Sequence, residues 1–201
     1  MITPAQEQEK YRRMWTEVPR YRQNSPGQRL VPLFLKQAAW AKDDTLIDLG
    51  CGSGRASMEL REAGLKVKLL DITRTSLDPD VNFKVGVIGI PFIECCLWLP
   101  DVAEHGRFDW VYCCDVLEHI PPEHVDAVLD NIHALTTKGA FLQIALWPEN
   151  FGNYIGEELH LTVESDDWWL EKITQRWPVE YQAPSGDGRL IVLTGAPLED
   201  K

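Results

Sequence analysis

The sequence predicts an α/β protein: a doubly wound, mostly parallel seven-stranded sheet with helices on both faces and a C-terminal antiparallel hairpin. Three observations lead there. Between residues 45 and 146, short apolar runs alternate with stretches of helical period, which demands parallel strands joined by crossover helices. A glycine-rich turn, residues 50–54, separates the first strand from the helix that follows it. Near the C-terminus, two more apolar runs flank Ser185-Gly186-Asp187-Gly188, a hairpin signal.

The elements follow in order. Over residues 4–18, Tyr11, Met14, Trp15 and Val18 share a helical face. Ser25-Pro26-Gly27 breaks the chain, and Ser25 is suited to cap a helix running to about residue 41. Pro32 delays or kinks that helix. Residues 45–49 (TLIDL) form a strand, residues 55–63 a helix ending at Gly64, and residues 67–70 a second strand ending at Asp71. Asp78-Pro79-Asp80 reads as a turn, and residues 92–97 as a strand. Residues 108–114 (FDWVYCC) are the next strand. A helix over 123–137 then carries Val125, Val128, Leu129, Ile132 and Leu135 on one face, with Gly139 beyond its end. Residues 140–146 form a strand. Ser165 caps a helix with Asp166 and Asp167 in its first turn, and Pro178 stops it. Residues 179–183 and 189–194 are the final two strands.

Composition removes several classes of partner. The net charge is -11, with 31 acidic against 20 basic residues, so duplex nucleic acid and anionic membrane surfaces are not expected. Lys10, Arg12, Arg13, Arg20, Arg22 and Arg29 read as the solvated face of N-terminal helices. Cys51, Cys95, Cys96, Cys113 and Cys114 are odd in number, and four of them are vicinal. Strand neighbours point to opposite faces, so these pairs suit neither a disulfide framework nor a metal site, and no metal is expected. Buried thiols imply a reducing, cytoplasmic setting. The first ten residues lack an apolar targeting core, and no apolar run has the length of a membrane span.

The segment Asp48-Leu49-Gly50-Cys51-Gly52-Ser53-Gly54 carries the functional signal. Its glycines allow a sharp turn and close approach of a ligand, and the next helix offers free N–H groups. Asp71, ending the following strand, is suited to accept both hydrogen bonds of a ribose diol. Dinucleotide binders use G-x-G-x-x-G, whereas these glycines run G-x-G-x-G.

In these residues the chain resembles the class I, Rossmann-like S-adenosylmethionine-dependent methyltransferases, whose first cofactor motif is D-x-G-x-G-x-G. Phe108-Asp109-Trp110-Val111, Asp115-Val116-Leu117-Glu118-His119-Ile120 and Gly139-Ala140-Phe141-Leu142 are similar to further family stretches. The resemblance covers residues 44–146. It implies S-adenosylmethionine as cofactor and S-adenosylhomocysteine as product. Gly50, Cys51 and Gly52 would line the methionyl and ribose part, with Asp48 fixing the loop, Asp71 on the ribose and Ile72 under the adenine. Cys96, Leu97, Asp115 and Val116 would complete the cofactor wall. The acidic residue that meets the adenine amine in many relatives aligns here with Cys95, or with Glu94 if the register shifts by one. Residues 1–42 read as a helical lid, in which Tyr21 or Arg22 would meet the cofactor. Residues 43–201 read as the sheet domain, and residues 147–164 as an acceptor-side loop.

Methyl transfer asks the protein chiefly to position an acceptor and to remove a proton. His160 and His119 are the candidate bases, with a structural role the alternative for each. His105, His124 and His133 read as surface residues. The N/D-P-P-Y/F motif and Pro-Cys nucleophile of nucleobase enzymes are absent from the sequence. Trp147, Phe151 and Tyr154 are suited either to wall an acceptor pocket or to pack in the core, while Trp169, Ile173 and Trp177 share a core-facing stripe. The expected enzyme is a monomer or homodimer that methylates oxygen, nitrogen or carbon of a small molecule. A protein, RNA or nucleotide substrate, an inactive cofactor-binding partner subunit, and a nicotinamide oxidoreductase are the alternatives.

Overall fold

The computed structural model describes residues 2–184 and 187–199. Three helices lead the chain: α1 (Pro4–Glu17), α2 (Pro19–Gln23) and α3 (Pro26–Gln37). The alternating region runs β1 (Thr45–Leu49), α4 (Arg55–Ala63), β2 (Lys66–Asp71), α5 (Pro79–Val87), β3 (Phe92–Glu94), β4 (Phe108–Cys114), α6 (Val125–Leu135) and β5 (Thr136–Ala145). Then come α7 (Asp166–Thr174), β6 (Val179–Gln182) and β7 (Arg189–Thr194). The strands form one sheet in the order β3-β2-β1-β4-β5-β7-β6. Pairing from β3 through β5 is parallel, and β7 is antiparallel to both of its neighbours. Ser185 and Gly186 of the expected hairpin turn lie outside the described residues.

Both faces of the sheet are buried, because period-two strands feed two separate cores. On one face Ile47, Leu49, Val111, Cys113, Leu142 and Val192 pack against α6 and α7, whose Leu129, Ile132, Trp169 and Ile173 are buried. On the other, Leu46, Trp110, Tyr112, Cys114 and Phe141 pack against α3, α4 and α5. The vicinal thiols Cys113 and Cys114 thus face opposite cores, and all five cysteines are free. Phe34 of α3 meets Trp110, Tyr112 and Phe141 edge-on at 5.7–5.8 Å. Each fully buried aromatic or aliphatic side chain contributes roughly 1.5–3 kcal/mol. Trp169, Ile173 and Trp177 are all core, as their spacing implies.

Four local readings change. Asp78-Pro79-Asp80 is a helix start, with Asp78 at the N-cap and Pro79 in the first turn. Val81 and Val85, four apart, turn inward together, which the β-branched composition concealed. The third strand stops at Glu94, so Cys96 and Leu97 leave the sheet and turn into its edge. α3 ends at Gln37 and carries Pro32 within it. Gly139 does not follow a helix end but lies inside β5, opposite the bulged stretch of β4.

Gly139 is required there by space. A Cβ would stand 2.2 Å from the carbonyl oxygen of Thr194 and 2.9 Å from the Trp110 ring. Gly139→Ala is expected to cost about 1–3 kcal/mol through overpacking between β5 and β7. Urea unfolding checks this, and an unchanged midpoint would contradict the close approach.

Candidate active site

In sheets of this kind, ligands bind outside the carboxyl ends of the strands where the strand order reverses, here between β1 and β4. A cavity opens at that place in two adjoining lobes of about 180 and 100 Å³. Gly50, Gly52, Trp15, Tyr21, Asp115 and His119 line both lobes and so form the passage between them.

The loop after β1 builds the floor. Gly50 has φ +66°, and a Cβ there would lie 2.4 Å from a methyl of Val116. Gly54, also left-handed, caps α4 and leaves its first N–H groups facing the loop. Asp71 anchors the arrangement from β2, accepting the Gly52 N–H at 2.8 Å and the Thr73 N–H at 3.1 Å. Beneath the loop, Asp48 accepts the Ser57 hydroxyl at 2.5 Å and is buried. Burial pushes Asp48 up to about 7 and Asp71 up to about 6, the latter against the pull of its backbone donors.

Apart from Glu94 and Arg22, the cofactor and catalytic residues expected from the sequence border this cavity. Asp71, Ile72, Cys96, Leu97 and Val116 line the smaller lobe. Asp48, Cys51 and His160 line the larger one. Glu94 does not border it, and its carboxylate instead accepts the Arg74 N–H and the Gln8 amide. The thiols of Cys95 and Cys96 are pushed up by burial to about 11 and about 12, so they stay protonated. Trp147 and Phe151 wall the larger lobe, whereas Tyr154 points away and is 65 % exposed. His105, His124 and His133 lie away from both lobes.

The N-terminal helices cover the cavity with apolar side chains. Glu7, Tyr11 and Trp15 of α1 border the smaller lobe, and Trp15 meets Tyr21 edge-on at 4.9 Å. The solvated basic face expected here is only partly present. Lys10 is buried, paired with Glu7 at 2.8 Å and donating to the Glu158 carbonyl. Arg22 does not border the cavity. It donates to the carbonyls of Trp15, Thr75, Ser76 and Leu77, tying α1 and α2 to the turn after β2.

Asp115 follows β4 with φ +62°, a left-handed conformation that costs a non-glycine residue about 1–3 kcal/mol. The strain carries its carboxylate to the passage between the lobes. Nearby, the His160 and His119 rings meet edge-on at 4.7 Å. His160 Nδ1 lies 2.6 Å from the Trp147 carbonyl, and His119 Nδ1 lies 3.0 Å from the Leu159 carbonyl and 2.8 Å from the Tyr11 hydroxyl. The Trp147 carbonyl only accepts, so His160 Nδ1 carries the proton and its Nε2 keeps a lone pair, whereas His119 Nδ1 has both an acceptor carbonyl and a hydroxyl in reach. Burial pushes the His119 imidazole down to about 4, against the pull of Asp115.

The lining has a marked charge pattern. Asp48, Asp71, Asp115, Glu7 and Glu149 border the lobes, and no lysine or arginine does among the described residues. Such a cavity favours a ligand with positive charge and disfavours a pyrophosphate.

The chain is similar to known proteins in sequence and in fold. The sequence pattern of a family described as "Methyltransferase domain" matches residues 12–187. The ubiquinone biosynthesis O-methyltransferase of Ralstonia nicotianae is 32 % identical over 77 residues, covering 38 % of this chain and 32 % of that protein. The magnesium-protoporphyrin O-methyltransferase of Synechocystis is 29 % identical over 106 residues, covering 52 % and 45 %. The chain spans only about a third to just over half the length of such curated relatives. In fold it is similar to the crystal structure of magnesium protoporphyrin IX methyltransferase from Synechocystis with bound SAH. That match has a TM-score of 0.66 and 18 % identity, over 94 % of this chain and 93 % of that one. A TehB-like SAM-dependent methyltransferase from Corynebacterium glutamicum aligns with TM-score 0.63 and 18 % identity, over 96 % and 100 %. Since the family pattern runs through most of the sequence, from α1 to the hairpin, the chain belongs to the methyltransferase-domain family.

Proposed function

We propose that this protein is an S-adenosylmethionine-dependent methyltransferase that methylates a hydroxyl of a small-molecule acceptor. The observation that carries this is the acidic lining, without arginine or lysine among the described residues, of a cavity built on the Gly50–Gly54 turn. It suits a sulfonium and an α-ammonium group and leaves a pyrophosphate without a counter-charge. The named O-methyltransferase relatives favour oxygen as the methylated atom.

S-adenosylmethionine, when bound, supplies an electrophilic methyl group. The chain's own residues then have distinct tasks. Asp71 retains free lone pairs beyond its two backbone bonds and holds the ribose diol. Ile72, Cys96, Leu97 and Val116 enclose the adenine in the smaller lobe, with Trp15 and Tyr21 closing over it. Gly50, Cys51 and Gly52 face the methionyl part, and Asp48 steadies them through Ser57. The larger lobe takes the acceptor between Trp147, Phe151 and His160. There His160, with His119, activates the acceptor hydroxyl while the walls exclude water. No helix among the described residues is long and apolar enough to cross a membrane. The free thiols support a cytoplasmic setting.

Calorimetry of the purified chain tests the reading. S-adenosylmethionine and S-adenosylhomocysteine are expected to bind one per chain, and NAD not at all. Binding of NAD alone would overturn it, and stoichiometric binding without turnover of any hydroxylated acceptor would favour a partner-subunit role.

A further inference from the structure

We propose that Glu118, His119 and His160 form a binding site for one divalent first-row transition cation, at the border of the larger lobe. This rests on reading that lobe as the acceptor's only for its catalytic meaning. The site itself stands on geometry. One carboxylate oxygen and one imidazole nitrogen from each histidine lie within 4.8 Å of one another, and all three residues are buried. Donors around one ion with bonds of about 2.1 Å sit somewhat closer, so a cation draws the three inward.

Three features mark the cluster as a ligand set rather than a packed polar core. Glu118 is wholly buried, and its two oxygens are used unequally. Oε1 accepts the Ala145 N–H at 2.9 Å, while Oε2 finds no donor among the described residues, and burial together with the neighbouring Asp115 carboxyl raises the Glu118 pKa, so the pair needs a proton or a cation. A buried, unpaired carboxylate oxygen is costly, and a cation relieves that cost. His160 holds Nδ1–H on the Trp147 carbonyl, which fixes its ring and leaves Nε2 as the donor atom, while the His119 ring is held at Nδ1 between the Leu159 carbonyl and the Tyr11 hydroxyl. That is the outer-shell support a metal-bound imidazole needs. Finally, the backbone locks the two halves together, because Leu161 and Thr162 donate to the Glu118 carbonyl at 2.8 and 3.0 Å.

Two imidazoles and one carboxylate select a cation of intermediate softness, such as Zn²⁺, Co²⁺, Mn²⁺ or Fe²⁺, with positions left open. The open side faces the larger lobe, which His119 and His160 line. An acceptor hydroxyl that reaches the cation has its pKa lowered. With the ion bound, the lone pair of His160 engages it, and His160 then acts on the acceptor hydroxyl through the ion.

The test uses the tag-free full chain stripped of metal with a chelator. Cobalt(II) is titrated in while its visible absorption is followed, and Zn²⁺ is then added as competitor. One Co²⁺ per chain, displaced by Zn²⁺, is the expected result. Affinity should fall at least ~100-fold in His160→Ala and at least ~10-fold in Glu118→Gln. Glu118→Gln keeps an acceptor for the Ala145 N–H, so it preserves the fold if His160→Ala does not. Absence of a stoichiometric site, or a site unchanged in both folded variants, overturns the proposal. S-adenosylhomocysteine binding is measured on the same samples. A Co²⁺ site without nucleoside binding upholds this inference while sinking the cofactor reading, and nucleoside binding without a Co²⁺ site does the reverse.

Discussion

Asp71→Ala is expected to weaken S-adenosylhomocysteine binding by at least ~100-fold in calorimetry. Two hydrogen bonds from a ribose diol to a carboxylate contribute about 1.5–3 kcal/mol each. The same carboxylate also clamps the Gly52 and Thr73 N–H groups, so its removal loosens the floor as well. The buried Asp71 is held up near 6 and carries its full charge only above that pH, so the comparison belongs at pH 8. Asp71→Asn keeps the acceptor for one clamp bond and is expected to lose less. Wild-type affinity in a folded Asp71→Ala chain would remove Asp71 from the cofactor site.

His160→Ala is expected to lower kcat by about 10²–10⁴ while leaving S-adenosylhomocysteine affinity nearly unchanged. The ring borders the larger lobe and not the smaller one, and its Nε2 lone pair faces away from the Trp147 carbonyl. Whether that lone pair meets the acceptor's proton or the cation inferred above, its loss is felt in turnover and not in nucleoside affinity. A collapse of cofactor affinity with intact folding would place His160 in the cofactor wall, and an unchanged kcat would remove it from the chemistry. His119 is a less clean target, because it borders both lobes and supports the lid through Tyr11.

What the sequence made legible was local. The turn after β1 and the acidic end of β2 are short-range signals, since glycine spacing and strand periodicity act over a few residues. The residues drawn from them gather on one cavity. The C-terminal hairpin and the core stripe of Trp169, Ile173 and Trp177 were legible for the same reason. α5 was missed because Gly86 and a turn-like Asp78-Pro79-Asp80 start interrupt its pattern and only Val81 and Val85 carry its period. The Glu118–His119–His160 cluster was missed because its members come from separate stretches, joined by long-range bonds such as Leu161 N–H to the Glu118 carbonyl. Tyr154 was misplaced because the 3₁₀ turn over Phe151–Tyr154 sends neighbouring rings in different directions.

The four carbonyls gathered by Arg22 bear on timing. One guanidinium joins α1 and α2 to the turn after β2, beside the smaller lobe that Trp15 and Tyr21 border. On the proposed function, loosening of that fastening would ease the departure of a spent nucleoside from beneath Trp15 and Tyr21. Where release and not chemistry is the slow step, the frequency of such an opening, set by four hydrogen bonds of one side chain, would govern turnover.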